Sequence, residues 1–261
     1  MLFNSKFDLV LSLGEDCACS GWLRRFKLQN FSYPFDWLTS ASFENRIELI
    51  LNNFSNFLNK EDLYPIEKPK AGPVDEKCDY WADKRYNFYF YHDFLREEPF
   101  ETEYLKVKEK YKRRIKRLYE QISNKKTILF VWWSRDKHQN IGQVQESYRK
   151  LCQKFSAQSV YLLLIEYAQE EEKVFLANNH ILISRFDNVS YKHNKNWNET
   201  TGNETNNVKI FSQIKISRTL GWYIKYTLYR FLKLLVAIIP IKNVRKKMRH
   251  ELNAKFYKEA L

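Results

Sequence analysis

Lys126 to Ser134 reads KTILFVWWS, apolar without a break from Ile128 to Trp133 and followed by the polar run Arg135-Asp136-Lys137-His138. A short apolar run closed by a polar turn is the pattern of a buried strand. The pattern returns in Ser159 to Glu166 (SVYLLLIE) and in His180 to Phe186 (HILISRF). Between them, Gly142 to Phe155 reads as a helix and Glu170 to Asn178 as a short helix or turn. Strands apolar on both faces, alternating with helical segments, predict a mostly parallel sheet flanked by helices, an α/β fold.

Working outward, Glu101 to Ser123 is the clearest helix, with Tyr104, Val107, Tyr111, Ile115, Leu118 and Ile122 at three- and four-residue spacing. Its other face is basic, which reads either as a solvated surface or as Arg113 or Arg114 turning back to a phosphate or carboxylate. Tyr86 to Phe94 (YNFYFYHDF) alternates aromatic residues as a strand does and carries His92 and Asp93 near its end. Asn59 to Asp79 holds three prolines and reads as a loop. Phe43 to about Asn53 reads as a helix, and Asp8 to Leu13, stopped by Gly14, as another buried strand.

Cys17 follows that glycine, and Ser20 to Lys27 reads as a short amphipathic helix. A thiol near a helix start is where a nucleophile is often placed, because first-turn N–H groups favour the thiolate. The other reading is a small buried cysteine behind a strand. His92 is the natural base, since an imidazole titrates near neutrality. Asp36, among Tyr33, Phe35 and Trp37, is the first candidate to orient it. Asp93 and Asp136 are the others, Asp93 hindered because neighbours on a strand point to opposite faces. His138, His180, His193 and His250 have no ligand spacing. Cys17 and Cys19 lack the second pair that a zinc site needs, and six unclustered glycines form no phosphate-cradling loop. No metal and no cofactor are expected.

The motifs SLGEDC (12–17), WLRRFKLQNFSYPFDW (22–37) and FYFYHDF (88–94) together resemble a bacterial family of unknown function, provisionally classed as papain-like cysteine peptidases. The likeness covers roughly residues 8 to 165. It implies Cys17 as nucleophile and His92 as base. Papain-like folds pair a helical part with an antiparallel sheet, whereas the residue pattern here predicts a parallel one.

The 261 residues carry a net charge of +13, of which +10 falls between Lys215 and Leu261, so the body is nearly neutral and the tail strongly basic. Residues 5–190 are expected to form the catalytic-type domain, 191–213 a polar loop, and 214–261 a basic amphipathic helical tail. Within the tail the longest uncharged run, Leu234 to Ile241, is far short of the roughly 20 residues that span a bilayer. Apolar residues interrupted by Lys225, Arg230 and Lys233, then a basic extension, are the signature of a helix lying on an anionic membrane surface. The alternative is a helix packed on the domain. No nucleic-acid motif accompanies the charge, so no nucleic acid is expected. With no leader-like segment at the start, a cytoplasmic protein peripheral on the inner membrane face is expected.

Three functions fit these features. The first is a thiol-dependent hydrolase or transferase acting on an amide or ester. The second rests on a likeness in layout to membrane-associated bacterial glycosyltransferases of surface-polysaccharide assembly, with a glycan substrate. The third is a non-catalytic scaffold at the membrane.

Overall fold

A computed structural model of the chain describes residues 3–67, 77–134, 138–168, 170–186 and 203–259. It divides into two compact units, Met1–Ile216 and Ser217–Leu261.

The first unit is built on the apolar runs. Strands β1 (Leu9–Ser12), β6 (Thr127–Trp133), β7 (Ser159–Tyr167) and β9 (Ile181–Phe186) lie side by side in that order, all parallel. In register, Leu9 faces Ile128, Ile128 faces Val160, and Leu162 faces Ile181. Leu9, Leu11, Phe130, Leu162 and Ile183 enter one core; the alternate residues Val10, Leu129, Val131, Leu163 and Leu182 enter another on the opposite face. Strands buried on both sides have no polar alternation, which is why these segments read as unbroken apolar runs.

Helices cover both faces. The larger core takes α2 (Phe43–Leu51), α3 (Phe100–Ser123) and α4 (Ile141–Lys154) through Ile47, Val107, Tyr111, Leu118 and Leu151. The smaller takes α1 (Cys17–Arg25) through Ala18, Cys19 and Leu23, and α5 (Asn203–Phe211) through Ile210 and Phe211. Helix α3 starts behind Pro99 with Glu101 and Glu103 in its first turn, where carboxylates complement the helix dipole.

A second, antiparallel sheet of β2 (Leu38–Ser40), β3 (Leu63–Pro65), β4 (Cys78–Asp83) and β5 (Phe88–Leu95) is inserted between α1 and α3, in the order β2-β5-β4-β3. The β4–β5 turn is closed by Asp83 Oδ1, which accepts the N–H groups of Arg85 and Tyr86 at 2.9 Å each, and by Asn87 at φ 58°.

Three readings of the sequence are corrected. Asn59–Asp79, expected as a loop, contains a 3-10 turn at Lys60–Asp62, all of β3 and the start of β4; residues 68–76 lie outside the described set. Glu170–Asn178, expected as a helix or turn, contains strand β8 (Glu172–Leu176), antiparallel to β9 at the sheet edge. Ala177, Asn178 and Asn179 all have positive φ, so a tight turn folds five residues back as a hairpin too short to show its period. The 191–213 segment, expected as a polar loop, ends in α5, and Ile214 beyond it is also buried. The N–H of Phe7 then donates to Lys215 O at 2.8 Å, so the body runs on to Ile216 rather than stopping near residue 190. Residues 187–202 lie outside the described set.

The second unit consists of α6 (Leu220–Ala237), capped by the Thr219 side chain accepting from Trp222 N, and α7 (Lys242–Glu259). Among the described residues no helix is long and apolar enough to cross a membrane.

Candidate functional site

Cys17 is the first residue of α1, and the helix starts three residues earlier than the sequence pattern predicts. The reason is Asp16, an extended N-cap whose Oδ1 accepts the N–H of Ala18 at 2.8 Å. The turn that presents the thiol needs Gly14. A Cβ there would stand 2.7 Å from Asp16 O and 2.9 Å from Cys19 Cβ. The N–H of Leu13 donates to Val131 O at 2.7 Å and that of Glu15 to Trp133 O at 3.3 Å. The turn is thereby held at the C-terminal ends of β1 and β6, the sheet edge where open α/β folds place their ligands.

Arg46 clamps this turn from beneath. It is fully buried and donates to five backbone carbonyls: Leu13 O (2.8 Å) and Glu15 O (3.1 Å) on the thiol turn, and Leu38 O (3.3 Å), Ser40 O (3.0 Å) and Ala41 O (3.5 Å) on and just after β2. Its guanidinium also lies over the rings of Phe35, Phe88 and Trp132. Burial pulls the group down to about 9, against the nearby Glu15 and Asp16 charges that raise it, so it remains a cation at neutral pH. The sequence reading passed over Arg46. Its signal was a cation three residues after Phe43 and four before Ile50, in the middle of an apolar stripe.

Of the four cysteines, none in a disulfide, Cys17 and Cys152 are half-buried and Cys19 and Cys78 are buried. Burial pushes the Cys19 thiol up to about 12, and its Sγ–H points at Val131 O, 3.6 Å away. Cys19 is therefore a core thiol, and Cys152 lies near the end of α4, packed against the larger core.

Asp36 is completely buried. Its Oδ2 accepts from Arg24 Nη2 (2.6 Å), Gln29 Nε2 (2.6 Å) and the N–H of Tyr33 (2.9 Å). Burial pushes its carboxyl up, with Arg24 the strongest opposing influence. Ser20 Oγ–H lies 3.0 Å from both Cys17 O and Asp36 O, joining the thiol helix to this segment. The guanidinium of Arg24 sits 5.2 Å over the ring of Trp37, and Trp37 also meets His92, ring to ring at 5.7 Å and edge-on.

His92 occupies an irregularity of β5. Trp81 pairs with Phe90 but Asp79 with Phe94, so β5 carries two extra residues over that interval. A bulge re-aims the side chains within it. The strict alternation ends there: Asp93 and Phe94 are both buried and His92 is half-buried. Asp93 Oδ2 accepts the Tyr111 hydroxyl at 2.9 Å, and Oδ1 pairs with Lys110 Nζ at 2.6 Å. The bonds described for Asp36 and Asp93 thus run to Arg24, Gln29, Tyr33, Tyr111 and Lys110. Asp136 lies outside the described residues. Among the described residues no three His, Cys, Asp or Glu side chains converge as metal ligands.

A chain of contacts thus runs from the backbone carbonyl of Cys17 through Ser20, Asp36, Arg24 and Trp37 to His92. No solved structure matches this chain. It is 30% identical over 138 residues to "Uncharacterized protein R408" of Acanthamoeba polyphaga mimivirus, which covers 49% of this chain and 62% of that protein. The chain thus spans less than two thirds of that relative's length. A family model matches residues 8–170, a span that holds Cys17, Asp36 and His92. The chain belongs to the family described as "Putative papain-like cysteine peptidase (DUF1796)".

Proposed function

We propose that this protein is a thiol-dependent hydrolase or transferase acting on an amide or ester, with Cys17 as nucleophile and His92 as its base. The observation that carries this reading is the placement of Cys17: half-buried, first in a capped helix, beyond the C-terminal edge of a parallel sheet. The helix dipole and first-turn N–H groups favour a thiolate there and stabilise negative charge developing on a carbonyl oxygen.

The steps balance without a cofactor. The Cys17 sulfur adds to the carbonyl carbon while its proton passes to the imidazole of His92. The C–N or C–O bond breaks and the leaving group takes that proton. Water, or an acceptor nucleophile in a transferase, then attacks the thioester carbon and gives its proton to His92; the C–S bond breaks, the acid or transferred acyl product leaves, and the sulfur takes the proton back from His92. Arg24 acts at one remove, holding Asp36 and stacking on Trp37, the ring that His92 meets.

The test uses an activated ester and iodoacetamide on the full chain. Cys17 is expected to alkylate first at neutral pH, and Cys17→Ala to lower ester turnover by about 100-fold or more with an unchanged melting temperature. His92→Ala is expected to lower ester turnover by about 100-fold or more, with an unchanged melting temperature. Unchanged turnover in Cys17→Ala rejects the proposal.

A further inference from the structure

We propose that the second unit, Ser217–Leu261, is a membrane-surface module that lays one stripe of α6 on an anionic bilayer. Among the described residues, most of the exposed large apolar side chains belong to this unit. Leu220, Ile224, Leu228, Phe231, Leu235 and Ile238 recur every three or four residues, so they share one side of the helix, and each is 46–77% exposed. Tyr229 and Val236, on the other side, are buried. A contiguous exposed apolar stripe of this length marks an interaction surface.

Charge selects the occupant. From Ser217 to His250 the sequence has nine Lys and Arg and no Asp or Glu. Lys225 and Arg230 flank the stripe, Lys233 lies across the helix over the ring of Tyr229, and Lys246, Lys247 and Arg249 are exposed on α7. A second copy of the chain seated on the stripe would set cation against cation. An anionic bilayer meets both features at once, taking the apolar side chains among its acyl chains and the cations among its headgroups. The helix is too short in apolar run to cross, so it lies in the interface.

Co-sedimentation of the full chain with phosphatidylglycerol-containing and pure phosphatidylcholine vesicles tests this. Expected is binding to the anionic vesicles, at least about tenfold weaker to the zwitterionic ones, and weakening as salt rises from about 0.1 M to about 0.5 M. The double variant Ile224→Glu/Phe231→Glu is expected to lose binding by about tenfold or more. Lys246→Gln/Lys247→Gln/Arg249→Gln, which leaves the stripe intact, is expected to lose anionic selectivity. No pelleting by wild type, or equal pelleting by wild type and the double variant, overturns the proposal. So does a wild-type dimer that the double variant dissociates in sedimentation velocity, which assigns the stripe to a second copy. A melting temperature clearly lowered by the double variant also overturns it, because the stripe is then covered within the chain. None of these readouts involves Cys17.

Discussion

Arg46 holds more of the site together than any residue picked from the sequence. Its five carbonyl acceptors belong to two segments, the Leu13–Glu15 turn and the β2 strand with Ala41. Arg46→Met keeps the volume and leaves those carbonyls without a donor. It is expected to destabilise the body by about 3–5 kcal/mol in urea unfolding and to slow Cys17 alkylation in the molecules that remain folded. Cys19 makes the pH prediction. Burial raises its thiol from an ordinary value of 9.0 to about 12, so in that window the folded chain holds a proton that the unfolded chain releases. The stability it contributes is therefore full below about pH 9 and is lost as pH rises toward 12, at up to about 1.4 kcal/mol per pH unit. Urea titrations at about pH 8 and about pH 10.5 are expected to show wild type losing stability relative to Cys19→Ala. In contrast to Cys17, native Cys19 is expected to resist iodoacetamide at about pH 8.

Helix α1 is where local sequence and chemistry meet. Its Asp16 cap sets the first helical residue, and so decides that the thiol sits on the helix start rather than on a loop before it. Asp16→Ala is expected to cost about 1 kcal/mol of stability and to slow Cys17 alkylation as the first turn frays, read by urea unfolding and alkylation rate side by side. The cap was legible in GEDC, an acid immediately before the thiol, but the apolar residues Trp22, Leu23 and Phe26 drew the predicted helix three residues too late. Strand β5 shows the converse. Its aromatic alternation from Phe88 was legible, yet its two-residue bulge was not, because register is a relation to β4 and leaves no mark on one strand alone. The placement of His92 depends on that bulge. Strand β8 escaped for a similar reason: a five-residue edge strand carries too few positions for a period and is defined by its partner β9.

Between the two units, charge and apolar surface are divided. The body buries its apolar side chains on both faces of a parallel sheet, while the second unit leaves a stripe of them exposed among cations. Vesicle binding is a property of the whole chain: its outcome turns on how the second unit meets a surface and leaves the thiol site untouched. The parallel sheet could be read directly from KTILFVWWS, SVYLLLIE and HILISRF, because strands buried on both faces must be apolar at every position and short stretches reveal that locally. The same holds for helix α3 and for the basic composition of the tail. The antiparallel insertion, the Arg46 clamp and the hydrogen bonds that draw Asp36 to Arg24 and Asp93 to Lys110 needed the folded chain. They join residues distant in sequence, and no local pattern records which distant donor reaches a buried carboxylate or carbonyl first.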